Sequence, residues 1–281
     1  MTKDIETQLP NFDWCGAKGA KWAQHLDGLE RMLAPVNDAL IARLSLETAT
    51  RIADLGCGGG GSTQALYVRA REDASVDGFD LSPELLALAR RRCAGASFHQ
   101  ADLQIDGPPA APYERLASRF GVMFFNEPRA AFSNLLRWLK PGGCFAFAVW
   151  GAPVDNPWAS IPRRVVESLV KVASVSPGSP GPFRYGDVNR MLDELAKAGF
   201  AEPSATTWTG TIPLGTATNA DDAARFALAA FSTLAEAMER CSADDVANVQ
   251  KGLAAELRGF ERDALVQLPA SVHLVTGLHP K

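Results

Sequence analysis

The chain has 281 residues, of which 47% are hydrophobic and 21% charged, and its formal net charge is −4. This composition is typical of a globular protein with a large core and excludes a disordered chain. The acidic balance disfavours nucleic acid as a partner, because a nucleic-acid-binding face is basic. No run approaches the roughly 18 apolar residues of a membrane span, and the N-terminus lacks a signal core. We therefore expect a cytoplasmic protein without membrane insertion.

The cysteines carry little structural information. There are five of them, scattered along the chain, with no CxxC pair and no closely spaced histidine pair beside them. An odd, dispersed set of this kind disfavours both a disulfide framework and a zinc site. We therefore predict no metal centre.

A helical cap is predicted for residues 1–48. Between residues 20 and 44 apolar side chains recur at helical spacing, which predicts one helix with a buried stripe. Pro35 marks the place where this helix is expected to kink. The stripe consists of Trp22, Leu26, Leu29, Leu33 and Val36.

Residues 49–151 alternate between strand and helix patterns. Helix patterns separate the strand patterns, which predicts a doubly wound, mostly parallel α/β sheet that binds ligands at the carboxyl ends of its strands. The segment YERLAS is a weak strand, since Glu114 and Arg115 are unusual in a buried one. The predicted strands are 51–55, 75–80, 96–102, 113–118 and 144–150.

Residues 152–281 are less regular and are predicted to complete the sheet. A helix ending at Gly199 precedes a strand at 204–215, and a last strand is predicted at 271–280. Residues 219–262 between these two strands read as helical. We interpret this helical insertion as a lid over the substrate site.

The stretch Gly56–Gly61, called the glycine loop below, holds five glycines in six positions directly after the first strand. Such a density is costly for an ordered chain, so it indicates a ligand that needs bare backbone. Gly56, Gly58 and Gly61 fit the G-x-G-x-x-G pattern of dinucleotide sites. Alone, this pattern leaves the ligand open.

Three acidic residues near the strand ends narrow the choice of ligand. Asp54, at the expected mouth of the glycine loop, would oppose a pyrophosphate but suits an ammonium group. Asp80 lies 20 residues past Gly60, the spacing of a carboxylate that binds ribose hydroxyls. Asp102 is placed to accept a hydrogen bond from an adenine amino group. An amino acid, a ribose and an adenine without phosphate describe S-adenosylmethionine (SAM).

The sequence resembles the class I SAM-dependent methyltransferases. The resemblance rests on four segments: DLGCGGG, GFDLSPELLALAR, ADL and LKPGGCFAFAVW. A fifth segment, SRFGVMFFNEP, resembles the corresponding segment in the branch that includes ubiquinone/menaquinone-biosynthesis and natural-product methyltransferases. It implies a Rossmann-like sheet of seven strands with the last one antiparallel. It also implies S-adenosylmethionine as cofactor, with these contact residues: Asp54, Gly56, Cys57, Gly58, Asp80, Leu81, Asp102, Leu103, Ser118 and Arg119.

On the acceptor side we predict contacts from Trp22, Phe124 and Tyr185. Phe125, Trp150 and Phe183 are further aromatic candidates for an apolar wall. We interpret His99 and His273 as structural residues and Asp187 as a helix cap. For His25, beside Trp22, a surface or packing role is favoured, and a role as base is the open alternative. No side chain stands out as catalytic, which favours an enzyme that works by positioning and desolvation.

The predicted function is methyl transfer to an O, N or C atom of a small-molecule acceptor, by a monomer or a homodimer. Three alternatives stay open at this stage. They are an NAD(P)-dependent oxidoreductase, a protein that binds SAM or S-adenosylhomocysteine (SAH) without catalysis, and an enzyme that uses SAM only as an electrostatic element. No tyrosine is followed by lysine four residues later, which excludes one dehydrogenase class.

Overall fold

The computed structural model describes residues 13–108, 112–170, 172, 176 and 178–281. Its strands within these ranges follow the alternation that the sequence predicts. They are β1 (Arg51–Leu55), β2 (Ser75–Asp80), β3 (Ser97–Gln100), β4 (Tyr113–Arg119), β5 (Leu139–Trp150), β6 (Ala201–Pro213), β7 (Glu261–Arg262) and β8 (Leu265–Leu278).

Seven strands form one sheet in the order β3-β2-β1-β4-β5-β8-β6. The strands β1 to β5 pair in parallel, whereas β8 runs antiparallel to both β5 and β6. The short β7 pairs with the start of β8. The predicted mostly parallel sheet with an antiparallel last strand is therefore confirmed.

Helices cover both faces of the sheet and its carboxyl edge. The strand order reverses beside β1, and such a switch point is where α/β sheets place their ligands. The helices are α1 (Ala17–Gln24), α2 (Leu26–Leu33), α3 (Asn37–Ile41), α4 (Gly61–Arg69), α5 (Pro83–Arg92), α6 (Pro128–Trp138), α7 (Pro157–Glu167), α8 (Val188–Ala198), α9 (Ala220–Ala230), α10 (Ser232–Met238) and α11 (Ala243–Leu257).

The N-terminal cap differs from its prediction. Residues 20–44 form no single helix, because the backbone leaves helical geometry at His25 (φ −109°, ψ 16°) and Pro35 lies in a 3₁₀ turn. The break turns α2 relative to α1. The predicted stripe is still buried from Leu26 to Val36, whereas Trp22 is only half-buried. Residues 1–12 of the predicted cap lie outside the described residues.

The polar strand β4 is confirmed, and its polar residues have partners. Glu114 accepts a hydrogen bond from the backbone of Thr50 over 2.6 Å and pairs with Lys140. Arg115 donates to the carbonyl oxygen of Leu44 over 2.5 Å. Both sit at the amino edge of the sheet, so a strand with charged residues is compatible with a buried core.

Some element boundaries shift. The third strand ends at Gln100, so Asp102 lies in the following turn. The fifth strand is longer than predicted, because β5 begins at Leu139, directly after α6 ends at Trp138, and not at residue 144. The helix α7 has no counterpart in the prediction. The insertion is confirmed as helical, with α9, α10 and α11 between β6 and β8.

None of the helices in the described ranges is long and apolar enough to cross a bilayer. The same ranges hold no cluster of histidine, cysteine, aspartate or glutamate suited to a metal ion. Residues 171, 173–175 and 177, between α7 and α8, lie outside the described residues.

Candidate active site

A cavity of about 730 Å³ lies at the carboxyl edge of the sheet. Its volume is within the range of small-molecule sites. The segments that follow β1 to β5 form its floor, α1 and α2 form one side, and α7 with the α9–α10 junction forms the other. The side chains change along it from a polar end at the glycine loop to an aromatic end.

The glycine loop has the backbone shape that its composition predicts. Gly56, Gly58 and Gly60 have φ angles of 67°, 53° and 82°, in the left-handed region that favours glycine. A Cβ on Gly56 would lie 2.9 Å from the Cα of Gly121, whereas one on Gly58 would meet nothing within 4 Å. Gly58 therefore presents bare backbone to the cavity.

Asp54 lies deeper than predicted. Its side chain is completely buried, and Oδ2 accepts hydrogen bonds from the hydroxyls of Ser62 and Thr63, each over 2.7 Å. Asp54 is absent from the cavity wall, so the predicted position at the mouth of the loop is wrong: Ser62 at the start of α4 stands between it and the cavity.

The electrostatics of Asp54 are unusual for a carboxylate. Burial raises its pKa to about 6, and the bonds from Ser62 and Thr63 only partly oppose this rise. Its Oδ1 atom is buried and has no hydrogen-bond partner among the described residues. The site thus holds one buried carboxylate oxygen that can still accept a hydrogen bond or interact with a cation.

Asp80 connects the glycine loop to the next turn. Its Oδ2 accepts from the backbone N–H of Gly58 over 2.8 Å, and its Oδ1 accepts from that of Ser82 over 2.9 Å. Burial is the main cause of its raised pKa, with these backbone donors acting in the opposite direction. Asp80 and Leu81 both line the cavity, as do Gly56, Cys57 and Gly58.

Asp102 combines two roles. Its Oδ1 accepts from the backbone N–H of Gln104 over 3.0 Å, which is the turn-stabilising role common for aspartate. It also lines the cavity together with Leu103. The turn therefore presents this part of the wall, although β3 ends two residues earlier.

Ser118 and Arg119 diverge at the end of β4, since neighbouring side chains of a strand point to opposite faces. The hydroxyl of Ser118 donates to the carbonyl oxygen of Leu55 over 2.7 Å, and the residue is fully buried away from the cavity. The prediction that Ser118 lies at the ligand is therefore wrong in this structure. Arg119 does line the cavity.

Glu30 on α2 is a site residue that the sequence reasoning missed. Its carboxylate lies 2.5 Å from Nη2 of Arg119 and 3.8 Å from Nη1 of Arg92, and it lines the cavity. The only sequence signal is a carboxylate beside the apolar stripe of α2. Glu30 reaches the cavity only because α2 packs across the carboxyl edge of the sheet, which a local sequence pattern does not show.

Of the three predicted acceptor contacts, Trp22 and Phe124 lie in the wall. Trp14 packs edge-on against both, with centroid distances of 5.8 and 5.1 Å. Tyr185 does not reach the cavity: it is fully buried and its hydroxyl donates to Glu194 over 2.8 Å. Its prediction as an acceptor contact is therefore wrong.

The far end of the cavity is aromatic. Phe120 stacks on Trp150 at 4.2 Å, and Trp158 packs against Trp150 at 4.6 Å and against Phe231 at 5.4 Å. The aromatic candidates from the sequence, Phe125, Trp150 and Phe183, all lie in this wall. Trp158 and Phe231 were missed, because they come from α7 and from the helical insertion.

The histidines occupy packing positions. His25 meets the ring of Phe226 edge-on at 6.4 Å, and Nε2 of His99 lies 3.2 Å from Oδ1 of Asp77. His273 lies beside Thr207. No histidine belongs to the described part of the cavity wall. Asp187 caps α8, as predicted.

The helical insertion reaches the cavity. Residues 230–234, at the α9–α10 junction, form part of the wall. Two ion pairs join α1 to this region, from Lys18 to Glu236 over 3.8 Å and from Lys21 to Glu239 over 3.5 Å. The cap and the insertion therefore meet over the same cavity.

Comparison with known sequences supports one family. Residues 52–143 match the model of a methyltransferase domain. The chain is 39% identical over 182 residues to a trans-aconitate 2-methyltransferase of Methylobacterium nodulans, covering 64% of this chain and 69% of that protein. It is 34% identical over 137 residues to a malonyl-[acyl-carrier protein] O-methyltransferase of Enterobacter lignolyticus, covering 49% of this chain and 52% of that protein.

A solved structure agrees in fold. Phosphoethanolamine N-methyltransferase 2 of Haemonchus contortus, in complex with S-adenosyl-L-methionine, superimposes with a TM-score of 0.54 at 17% identity, covering 94% of this chain and 58% of that one. Fold, glycine loop and sequence relatives point to the same family. The chain belongs to the class I SAM-dependent methyltransferases of the small-molecule type, and its cofactor is S-adenosylmethionine.

Proposed function

We propose that this methyltransferase holds SAM at the glycine-loop end of the cavity and methylates a carboxylate oxygen of a small acceptor at the aromatic end. One observation carries the proposal. A single cavity runs from the loop and Asp80 to the aromatic wall around Trp150, and its described lining contains no histidine or tyrosine to act as a base. Such a site suits an acceptor that is already a nucleophile.

The adenosine half of SAM fits the floor of the cavity. Each carboxylate oxygen of Asp80 accepts one backbone N–H and keeps lone-pair capacity, so both ribose hydroxyls can donate to it. Leu81 and Leu103 would flank the adenine, and Asp102 would accept from its amino group. The open space at Gly58 lets the ligand pass close to the backbone.

The amino-acid half of SAM is a zwitterion, and the cavity offers both signs of charge to it. The guanidinium of Arg119 would bind the carboxylate, and Glu30 would receive the ammonium group. The buried Oδ1 of Asp54, which has no described partner, adds negative charge behind Ser62. In this arrangement Asp54 acts at a distance from the ligand, and Ser118 supports β1.

When bound, SAM supplies a methyl group on a sulfonium that is displaced in line by the acceptor nucleophile, leaving SAH. The residues of this chain then have to align the acceptor and exclude water. Phe120, Trp150 and Trp158 form the apolar surface that does so. A carboxylate acceptor is ionised at neutral pH, so its oxygen needs no deprotonation before attack.

The acceptors in the names of the two sequence relatives support an oxygen acceptor. Trans-aconitate and the malonyl group both carry carboxylates, and the second relative is named as an O-methyltransferase. The described lining is compatible with this chemistry, because its only thiol, that of Cys57, is buried with a pKa raised by burial. The Cys57 thiol is therefore a poor nucleophile at neutral pH.

The test is a turnover assay with SAM and a panel of acceptors, with SAH and the methylated product identified by mass spectrometry. The panel pairs trans-aconitate, octanoate and trans-cinnamate with amines and phenols of similar size. We expect methyl esters from acids only, and a strongly reduced yield with Asp80→Asn when SAM is below saturation. Methylation of amines or phenols without any ester would refute the acceptor class. Binding of NADH but not of SAH, measured by calorimetry, would refute the cofactor assignment.

The homodimer and the cytoplasmic location stay predictions. Light scattering of the purified protein at several concentrations measures the first. A molecular mass equal to that of one chain at every concentration would contradict the homodimer. The described cavity lining comes from a single chain, so the site does not require a dimer.

A further inference from the structure

Arg184 is a buried cation in the cavity wall. The residue is only 8% exposed, and it lines the cavity together with Phe125 and Phe183. One terminal nitrogen, Nη1, donates to the carbonyl oxygen of Phe125. The Nε atom is buried without a hydrogen-bond partner among the described residues.

The charge of Arg184 cannot be removed by deprotonation, because guanidinium stays protonated in proteins. A buried ion without a counter-charge is strongly unfavourable, so buried arginines are normally paired. In the described part of the chain no carboxylate lies within ion-pair distance of Arg184. The ring of Tyr185, whose centroid is 5.8 Å from Cζ, gives a weak cation–π contact only.

The other arginines of the cavity wall differ from Arg184 in this respect. Arg119 pairs with Glu30 over 2.5 Å, Arg163 pairs with Glu167 over 2.7 Å, and Arg164 pairs with Glu256. Each of these three has a counter-charge within the protein. Arg184 follows Phe183 in the chain and bonds to the carbonyl of Phe125, and both phenylalanines line the same cavity.

We propose that Arg184 is the anchor for a carboxylate group of the acceptor, and that it selects acidic acceptors over their neutral analogues. This inference rests on the proposed function, since it places the acceptor at the aromatic end of the cavity. The Nη groups that remain beyond the Phe125 bond match a carboxylate geometrically. The ligand class is an apolar carboxylic acid, because Phe125 and Phe183 line the same cavity as the cation.

The proposal concerns binding and orientation of the acceptor, so Arg184 is a specificity residue. A charge-assisted hydrogen bond in a desolvated site is stronger than a neutral one. Loss of the ligand carboxylate would leave the guanidinium buried and unpaired, which penalises neutral analogues. Discrimination against a neutral isostere is therefore expected to be large.

The experiment measures binding, not turnover. The full-length protein is saturated with SAH, and the affinities of two matched pairs, trans-cinnamate with trans-cinnamamide and octanoate with octanamide, are measured by calorimetry. We expect the wild-type complex to prefer the acid in each pair by about tenfold to hundredfold. Arg184→Gln, which can still donate to the Phe125 carbonyl, should bind acid and amide equally.

Two variants make the result decisive. Arg184→Lys keeps the positive charge and should keep part of the acid preference. Arg190→Gln removes an exposed arginine of α8 that pairs with Glu194 outside the cavity, and it should keep the full preference. SAH binding is measured in every variant.

Several outcomes would overturn the proposal. The first is an equal affinity for acid and amide in the wild type, and the second is an undiminished acid preference in Arg184→Gln. The third is loss of SAH binding in both Arg184 variants, which would show that Arg184 serves to hold the Phe125 segment in place. Failure of the wild-type protein to bind SAH would count against the proposed function instead, so the two failures are distinguishable.

Discussion

Arg119 at the end of β4 and Glu30 on α2 form an ion pair of 2.5 Å, and their side chains are only 4% and 13% exposed. The pair joins the N-terminal cap to the strand that ends beside the glycine loop. Arg119 also donates to Asn37 over 3.0 Å, so one guanidinium holds two parts of the cap. A ligand that binds between these charges would be bound by the sheet and the cap together.

Removing one partner of this pair should destabilise the protein strongly. Glu30→Gln leaves the buried Arg119 without its counter-charge, and we expect the free energy of unfolding in urea to fall by about 3 kcal/mol. The double variant Glu30→Gln/Arg119→Met should lose less than the sum of the single variants. Asp27→Asn is the matched control, because Asp27 is an exposed partner of Arg92, and its effect should stay below about 1 kcal/mol. Additive losses would show that the pair is not coupled.

The bare backbone of Gly58 should matter for the ligand more than for the fold. Gly58→Ala puts a methyl group into open space at a φ of 53°, so we expect a stability loss of about 1 kcal/mol but a loss of SAH affinity of at least about tenfold. The control is Gly107→Ala, where the added Cβ also meets nothing within 4 Å and which lies outside the cavity wall. SAH affinity is measured by calorimetry. Equal affinity in both variants would refute the role of the glycine loop in cofactor binding.

Asp80→Asn should weaken cofactor binding. An amide presents only one acceptor atom, and its NH₂ group would face the N–H of Gly58 or Ser82. We expect SAH affinity to fall by about tenfold to hundredfold. Removing the 2′-hydroxyl from SAH should cost less affinity in the variant than in the wild type. Asp77→Asn, on the same strand but bonded to Tyr113, should lower the melting temperature and spare SAH affinity. An identical penalty for SAH and its deoxy analogue would contradict the ribose assignment.

Asp54 should make stability depend on pH. Its folded-state pKa of about 6 lies above the ordinary value of 3.8, so the folded protein binds the proton more tightly than the unfolded chain does. Stability from this group is therefore present below pH 3.8 and lost as the pH rises through 6, by about 3 kcal/mol in all. The stability of Asp54→Asn relative to wild type should rise between pH 4 and pH 6 and then stay level. A pH-independent difference in urea titrations would refute the raised pKa.

The helical insertion should respond to ligands. Residues 230–234 lie in the wall and α10 is paired with α1, so cofactor and acceptor together should order this region. We expect residues 219–262 to gain protection from hydrogen exchange when SAH and an acid acceptor are both bound. The amides of β1, at the centre of the sheet, serve as the internal control and should not change. Unchanged exchange in 219–262 would leave the insertion a static wall.

Much of this molecule could be predicted from local patterns in the chain. The β1 strand and the glycine loop were predicted at their observed positions, because hydrophobic period and glycine density act within a few residues of each other. The spacing of Asp80 from the glycine loop also predicted its place at the cavity. These features depend on neighbours in sequence, so the sequence alone was sufficient to predict the family and the cofactor.

Other features were decided by tertiary contacts. Asp54 became buried behind Ser62, Ser118 turned to the carbonyl of Leu55, and Tyr185 turned to Glu194, because a strand or loop residue faces whichever side its packing allows. Glu30 and Arg184 entered the site from distant segments, and no local pattern marks a side chain whose partner lies across the fold. The sequence by itself determined which fold and cofactor this chain uses. Only the tertiary structure decided which charges face the ligand, since that depends on how separate elements cross.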